Sequence, residues 1–183
     1  MREIEIKLRV NDLDALEKKL TDSGLVISKE ITQDDMVYVP QDAIDPFSNV
    51  KVGDIFIRIR KQNGTNTLTL KQQRGVGLDK TEHETKIDDS EQMHQILLLM
   101  GWKPAAQVIK KRKKGKLGEY EVCLDAVEEL GNFVELEKLA DDNVDPEKIK
   151  KELFEALKPY GLTQKDEETK GYDILMYQLK NKN

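Results

Sequence analysis

The sequence has few of the residues that form disulfides, cysteine-rich metal sites and histidine sites. Among 183 residues there are one cysteine, Cys123, and two histidines, His83 and His94. A single cysteine excludes a disulfide within the chain and a cysteine-rich zinc site. The two histidines fall in different predicted elements, which argues against a histidine metal site and against a Ser-His-Asp triad. Any chemistry must therefore rely on other side chains.

Long apolar runs and an excess of positive charge are also missing. No apolar run reaches the roughly 20 residues of a membrane-spanning helix, and no signal-peptide pattern precedes Glu3. We therefore expect a cytoplasmic protein with no membrane partner. The formal net charge is -5 at pH 7, which argues against a general nucleic-acid binder.

Charged residues are abundant instead. They make up 36% of the chain, beside 38% apolar residues, whereas about a quarter is usual in globular domains. The length suits one globular domain, and we predict a single domain over residues 1–183. The position of the charges within the strands therefore becomes the informative feature.

Charged and apolar residues alternate from the start of the chain. The first segment reads Glu3-x-Glu5-x-Lys7, with aliphatic residues between the charges. A β-strand directs alternate side chains to opposite faces, so this strand has one charged face and one apolar face. Later segments repeat the alternation and place on their polar faces Arg58 and Arg60, Lys71, Glu82 and Glu84, Lys110 and Arg112, Asp125, and Glu135 and Glu137.

The opening motif recurs in the second half of the chain. Residues 82–86 read Glu-x-Glu-x-Lys, and both copies precede a predicted helix with an aspartate at its start. In the second copy Asp88 and Glu91 have the spacing of a capping box. The repetition predicts a strand-helix-strands unit used twice, over about residues 1–80 and 81–183.

These elements predict an α+β fold. We count seven to nine strands, mostly antiparallel, and three or four helices. Among them we predict a strand over 25–31, a hairpin turn at Asn63-Gly64, helix caps at Asp12 and Asp145 and a frayed tail over 180–183. Strands with one apolar and one charged face suit a closed barrel with a charged lumen, whose apolar outside is covered by helices. A single strand of this kind is more often solvated, and an open sheet with cross-strand Glu–Lys pairs would show the same pattern.

The charges of the polar faces have a composition suited to a metal and a polyphosphate. Carboxylates in this number suit hard cations such as Mg²⁺ or Mn²⁺, while arginines and lysines bind phosphate oxygens. Both sets on the same kind of strand face favour a metal–triphosphate site. A basic run over residues 110–116 could instead contact nucleic acid, but alternation in a strand and a turn at Gly115 favour a hairpin tip. Gly75-x-Gly77 lacks the lysine-serine pair of a P-loop and predicts a loop.

The ordered set of motifs resembles the CYTH superfamily over nearly the whole chain. These triphosphate tunnel metalloenzymes include class IV adenylate cyclases and thiamine and inorganic triphosphatases. The residues that match are Glu3, Glu5, Lys7, Arg58, Arg60, Lys71, Glu84, Lys110, Arg112, Asp125, Glu135 and Glu137. By length, and by the segment from 110 to 137, the chain is most similar to the class IV cyclase branch.

The resemblance implies a tunnel formed by an eight-stranded antiparallel barrel. It implies Mg²⁺ or Mn²⁺ bound by Glu3, Glu5 and Glu135, with Glu137 beside them. It assigns the triphosphate to Lys7, Arg58, Arg60, Lys71, Lys110 and Arg112. Asp125 would lie near the reacting phosphates or orient a basic partner, and Glu84 would orient basic residues or add a ligand. Glu3, Glu5, Lys7 and Asp125 are the implied catalytic set.

Three functions remain open at this point. The first is a class IV adenylate cyclase-like lyase that converts ATP to cyclic AMP and pyrophosphate. The second is an inorganic or thiamine triphosphatase, because Glu82 stands where related cyclases tend to have a basic residue. The third is a nucleotide- or polyphosphate-binding module without turnover. A homodimer is common among such barrels and is left open as a partner state.

Overall fold

The structure is a computed structural model, and it describes residues 2–75, 80–141 and 143–181. Its strands are β1 Arg2–Val10, β2 Ile31–Pro40, β3 Ile55–Gln62, β4 Thr65–Gln73, β5 Lys80–Ile87, β6 Trp102–Leu117, β7 Tyr120–Val127 and β8 Gly131–Ala140. Its helices are α1 Leu13–Asp22, α2 Ser90–Leu99, α3 Pro146–Leu157 and α4 Tyr172–Lys180, with single 3-10 turns at 158–160 and 164–166.

The eight strands follow the order β1-β8-β7-β6-β2-β3-β4-β5 in one antiparallel sheet. The predicted α+β class and strand number are confirmed. The prediction of a closed barrel is wrong for the described residues, because β1 and β5 stand at the two ends of the strand order and no pairing joins them there. Closure would require β1 to bond to β5, but the described pairings give β1 to β8 and β5 to β4.

The chain divides into two compact units, Met1–Ile31 with Lys110–Thr169 and Thr32–Ile109 with Lys170–Asn183. The first unit holds β1, β7, β8, the second half of β6, α1 and α3. The second unit holds β2 to β5, the first half of β6, α2 and α4. The single domain with an internal repeat stays a prediction.

The core of the first unit lies on the apolar face of β1, β7 and β8. Ile6, Leu8 and Leu136 are at most 1% exposed and pack with helix residues such as Leu20 and Leu153. The helices of this unit, α1 and α3, start where the sequence predicts. Asp12 accepts a hydrogen bond from the backbone of Ala15 at 2.9 Å to cap α1, and Asp145 caps α3 directly before a proline. The charged residues of the same strands are thereby directed away from the helices.

The core of the second unit lies between α2 and the apolar face of β2 and β3, where Leu97 packs with Tyr38, Ile57 and Ile59. β3 and β4 are joined at Asn63-Gly64, whose φ angles of 49° and 75° are those of a type I′ hairpin turn. The cap of α2 is Asp89 rather than the predicted Asp88. Its carboxylate accepts from the backbone of residues 91 and 92.

Gly115 lies inside β6 and not in a turn, contrary to the prediction. A Cβ there would stand 2.8 Å from the end of the Ile27 side chain and 3.0 Å from the Val26 carbonyl oxygen, so a larger residue would force both neighbours to move. The turn falls at Gly118, with φ 62°. Residues 25–31, predicted as a strand, make an isolated bridge from Ile27 to Gly115 before β2 begins.

Two predicted segments fall partly outside the described residues. These are the glycine-containing loop, of which 76–79 are not described, and the frayed tail, of which 182 and 183 are not described. Among the helices that are described, none has the length and apolarity needed to cross a membrane.

Candidate functional site

The first unit has a charged strand face opposite its apolar core. The antiparallel register sets Glu5 opposite Glu137 and Lys7 opposite Glu135 between β1 and β8. It also sets Glu137 opposite Glu121 between β8 and β7. Directly opposed residues have Cβ atoms about 4.5–5.5 Å apart. Three neighbouring strands therefore bring together carboxylates that are far apart in the sequence.

Glu3, Glu5 and Glu137 form a carboxylate cluster. One oxygen from each lies within 4.8 Å of the others. Mg²⁺ binds oxygens at about 2.0–2.1 Å in an octahedron, so opposite ligands lie a little over 4 Å apart. The cluster therefore has the donor chemistry and nearly the spacing of a site for a hard divalent cation.

The ionisation of Glu137 reflects this crowding. Burial, followed by the negative charge of Glu3 and by hydrogen bonding and charge from Glu121, raises the pKa of Glu137 to about 9. Glu5 adds a further contribution in the same direction. A divalent cation at the cluster would instead lower the pKa of Glu137, because it favours the charged form of every carboxylate around it.

Glu121 is a member of this face that the sequence analysis did not assign to the site. It forms a second group with Cys123 and Glu137 whose ligand atoms also lie within 4.8 Å of one another. Burial raises the pKa of the Cys123 thiol far above its usual range, and a protonated thiol is a poor metal ligand. The group of three carboxylates is therefore the better candidate.

The signal for Glu121 was its alternation with Cys123 and Asp125 along β7, which places it on the same charged face. Burial acts to raise the pKa of Glu121, but hydrogen bonds with Lys114 and Glu137, together with the charges of Lys114 and Arg112, outweigh it and hold that pKa below its usual value. Lys114 and Glu121 form an ion pair between β6 and β7.

A buried ion network lies on the same face. Arg112 donates to both carboxylate oxygens of Asp125, at 2.7 and 2.5 Å, and also pairs with Glu135. Burial acts to lower the pKa of Arg112, but Glu135 and Asp125 outweigh it and raise that pKa. Glu135, predicted as a metal ligand, is thus placed against Arg112, while Glu137 stands in the carboxylate cluster.

Two further cations of this face are enclosed. Lys7 is 1% exposed and Lys110 is 4% exposed. Ammonium groups are rarely buried to this extent without negative partners, and both residues interact with other described groups. Together with Arg112, they add three enclosed cations to the charged face of the first unit.

The second unit has its own polar strand face, which contains Arg58 and Lys71. The Arg58 guanidinium lies 3.0 Å from the Thr69 hydroxyl and 3.3 Å from Glu84. Lys71 donates to Glu82 at 2.6 Å. Glu84 thus contacts a basic residue, and its role in the site stays a prediction.

The cations of this face repel one another. Burial, and then the charge of Arg60, lowers the pKa of Arg58. Burial, and then the charge of Arg58, lowers the pKa of Lys71 in spite of Glu82. An anion bound to this face would favour the charged forms of Arg58 and Lys71 and raise both pKa values.

Arg60 has a carboxylate partner that the sequence analysis did not identify. Its Nε and one terminal nitrogen donate to the two oxygens of Asp35 at 2.6 and 2.7 Å. Asp35 is 4% exposed. This bidentate pair fixes the guanidinium plane. Asp35 could be placed here only once β2 was known to pair with β3.

The predicted site residues therefore fall into two groups. The first unit contains Glu3, Glu5, Lys7, Lys110, Arg112, Asp125, Glu135 and Glu137, and the second contains Arg58, Arg60, Lys71 and Glu84. The basic run of residues 110–116 is largely matched by acids, because Lys111, Lys113 and Lys114 pair with Glu30, Glu17 and Glu121. This pairing argues against a nucleic-acid surface.

Three known proteins resemble the chain over nearly its whole length. A Methanocaldococcus jannaschii protein provisionally named an adenylate cyclase is 32% identical over 174 residues, which are 94% of this chain and 97% of that protein. A solved Pyrococcus horikoshii structure is 25% identical, has a TM-score of 0.79, and matches 95% of this chain and 98% of its own. A Hippeastrum protein shares the fold at 17% identity and a TM-score of 0.65, over 100% of this chain and 98% of that one. It is provisionally named an adenylyl cyclase and is described as having a dominant triphosphatase activity.

A family model agrees with these relatives. The model of the CYTH domain matches residues 1–172, a range that includes every charged residue described above. The chain belongs to the CYTH domain family.

Proposed function

We propose that this chain is a divalent-metal-dependent enzyme acting on a triphosphate, with adenylate cyclase-like conversion of ATP to cyclic AMP and pyrophosphate as its leading activity. The observation that carries the proposal is the cluster of Glu3, Glu5 and Glu137 on a strand face that also holds enclosed lysines. Carboxylates alone would repel a triphosphate and cations alone would not hold a metal, so the combination fits a metal–triphosphate complex.

The residues fit Mg²⁺ or Mn²⁺, held by Glu3, Glu5 and Glu137. Such an ion, when bound, supplies positive charge to phosphate oxygens and stabilises the charge that develops during transfer. Lys7 and Lys110 would bind non-bridging phosphate oxygens from the same face. These two lysines, which are nearly enclosed, act in a setting where charge is screened less than in water.

Arg112 and Asp125 have a joint role in this proposal. Asp125 accepts from Nε and one terminal nitrogen along one edge of the guanidinium, so it is a positioning residue that fixes the plane of Arg112. Glu135 neutralises part of the same charge, and a triphosphate would compete with it for the guanidinium. Arg58 and Lys71 of the second unit would bind phosphate oxygens as the family resemblance implies.

The proposed reaction is an internal displacement at the α-phosphorus. The ribose 3′-oxygen forms a bond to that phosphorus, the bond to the bridging oxygen of the β-phosphate breaks, and pyrophosphate leaves. The proton of the 3′-hydroxyl passes to solvent or to a carboxylate of the face. Lys7, Lys110 and Arg112 would stabilise the negative charge on the transferring and leaving groups.

Triphosphate hydrolysis is the second candidate, and a specific contact favours it. Glu82, which stands where related cyclases tend to have a basic residue, pairs with Lys71 at 2.6 Å and lies 3.9 Å from Arg58. It therefore reduces the positive charge available to a nucleotide there. The triphosphatase activity described for the Hippeastrum protein points the same way. In this reaction water attacks the terminal phosphorus and orthophosphate leaves.

Product analysis separates the candidates. The protein is incubated with Mg²⁺ or Mn²⁺ and, separately, with ATP, thiamine triphosphate and tripolyphosphate. Cyclic AMP with pyrophosphate establishes the cyclase, and orthophosphate without cyclic AMP establishes a triphosphatase. No product from any substrate, together with binding of tripolyphosphate, leaves a binding module. The Glu137→Gln variant serves as the inactive control, and Glu128→Gln as a charge-matched control at an exposed turn.

A cytoplasmic location and a homodimer remain predictions.

A further inference from the structure

Gln33 on β2 has a buried acceptor that is not used. Its side chain is 2% exposed, and its Nε2 donates to the Gln62 side chain at 2.6 Å. Its Oε1 has no hydrogen-bond partner among the described residues. An unpaired buried polar group costs on the order of 1–3 kcal/mol, so a ligand that donated to this oxygen would recover that cost.

The unpaired oxygen lies on the polar face of the second unit. Gln33 is opposite Gln62, and two residues further along the same strands Asp35 is opposite Arg60. Thr67 on β4 is opposite Arg60 on β3. Its buried hydroxyl also lacks a partner in the described structure. Gln33, Gln62 and Thr67 thus form a neutral polar patch beside the Asp35–Arg60 pair.

The patch and the phosphate-binding cations share one face at a defined separation. Val37 is opposite Arg58, so Gln33 lies four residues along β2 from the level of Arg58. At about 3.4 Å per residue, the two levels are roughly 14 Å apart along the strand. That separation suits a ligand with a phosphate chain at one end and a heterocycle at the other.

The amide of Gln33 also limits the chemistry of that heterocycle. Its Oε1 is an open acceptor, and Nε2 has a second hydrogen besides the one given to Gln62. A glutamine amide binds bidentately to an amino group that adjoins a ring nitrogen, as in adenine. A ring that carries a carbonyl in place of the amino group would set two acceptors against each other.

We propose that Gln33 is a specificity residue that recognises an amino-substituted ring nitrogen at the non-phosphate end of the substrate. Both adenine and the aminopyrimidine of thiamine carry this edge. The proposal rests on the proposed function, because it takes the second unit's cations to bind the phosphates. Gln62 and Thr67, the other members of the patch, are half-buried.

Dissociation constants measured by calorimetry in EDTA test the proposal without metal-dependent turnover. The ligands are ATP, inosine triphosphate, thiamine triphosphate and tripolyphosphate. We expect the protein to bind ATP about tenfold more tightly than inosine triphosphate, since a bidentate contact contributes roughly 1–3 kcal/mol of discrimination. Gln33→Met should remove this preference and leave tripolyphosphate binding unchanged. Gln92→Met, at an exposed position on α2, is the matched control.

Comparison of ATP with thiamine triphosphate shows whether Gln33 recognises adenine or the aminopyrimidine. Loss of ATP binding in Gln33→Met with thiamine triphosphate unaffected assigns adenine, and the reverse assigns the aminopyrimidine. Equal affinity of the unmodified protein for ATP and inosine triphosphate overturns the proposal, as does equal weakening of tripolyphosphate and ATP by Gln33→Met. Failure of every ligand to bind, both in EDTA and with Mg²⁺ present, overturns the proposed function as well. Tight tripolyphosphate binding without base discrimination overturns only the role of Gln33.

Discussion

Glu5 on β1 lies directly opposite Glu137 on β8, so two carboxylates face each other across an antiparallel strand pair. Like charges in this position destabilise a sheet. Glu3 joins them within 4.8 Å, and Glu137 is partly withdrawn from solvent. The arrangement opposes folding unless a proton or a cation compensates, and this conflict leads to the first two predictions.

Glu5→Gln and Glu137→Gln should each abolish metal-dependent turnover without loss of stability in EDTA. The Glu5 amide removes a repulsive charge at nearly constant volume, and the Glu137 amide replaces a carboxyl group that already holds a proton near pH 7. Thermal unfolding should therefore occur at the same temperature in Glu137→Gln and at the same temperature or a few degrees higher in Glu5→Gln. In a domain of this size 1 kcal/mol corresponds to about 2–4 °C. Scanning calorimetry with and without Mg²⁺ measures both effects. Glu128→Gln should retain the stabilisation by Mg²⁺, and a large loss of stability in Glu5→Gln would identify a structural role.

Metal affinity should rise with pH. The raised pKa of Glu137, about 9, means that the folded metal-free protein binds a proton there at pH values where the unfolded chain has released it. Its stability therefore falls as pH rises from about 4.5 towards 9. Metal binding requires the charged form, so the apparent affinity for Mg²⁺ should increase by up to about tenfold per pH unit until pH 9.

Calorimetric titration of Mg²⁺ in two buffers of different ionisation enthalpy measures the accompanying proton release. We expect close to one proton per ion at pH 7.5 and almost none at pH 10. Glu137→Gln should release none at either pH. A proton release that is the same in Glu137→Gln as in the unmodified protein would mean that another group titrates.

Arg112→Met should be strongly destabilising. Arg112 is the shared partner of Asp125, which is 0% exposed, and of Glu135, which is 6% exposed. Its removal takes away the guanidinium that two buried carboxylates share, and breaking a buried pair costs about 3–5 kcal/mol. Urea unfolding measures the loss. Lys18→Met breaks the exposed Lys18–Asp22 pair and should cost well under 1 kcal/mol; similar losses in the two variants would show that the network adds little.

Arg58→Ala should weaken tripolyphosphate more than orthophosphate. Arg58 is a buried cation whose pKa is lowered first by burial and then by Arg60, so an anion that spans this face gains most from it. We expect tripolyphosphate affinity to fall by about 10–100-fold, since hydrogen bonds to charged groups contribute about 1.5–3 kcal/mol. Lys61→Ala, on the opposite face of β3 and 53% exposed, is the control. Equal weakening of both anions would contradict a phosphate-chain role.

The sequence predicted most elements because their local signals agree. Asp12 and Asp145 cap helices as their types require, and Asn63-Gly64 forms the hairpin turn. The prediction of a turn at Gly115 was wrong because the glycine there packs closely against Ile27, which is distant in the sequence. The closed barrel was not borne out in the described residues, because alternation within a strand does not say which strand lies next to it.

The sequence predicted some residues of the candidate site and missed others. Alternation alone put Glu3, Glu5 and Glu137 on charged strand faces, because a pleated strand leaves no other arrangement. It did not show that Glu137 rather than Glu135 joins the carboxylate cluster. That difference depends on Arg112, which reaches Glu135 from β6 across β7. Asp35 and Gln33 were missed for the same reason, since their importance comes from Arg60 and Gln62 on the neighbouring strand.

The sequence by itself determined the α+β class, the helix caps, the hairpin and the division of each strand into a charged and an apolar face. These features depend on backbone preferences and on a period of two, which act over a few residues. The tertiary structure decided the strand neighbours, the pairing of Arg112 with Asp125 and of Arg60 with Asp35, and the acceptor left open on Gln33. These depend on register between strands that are distant in the sequence, and hence on the folded packing of the whole sheet.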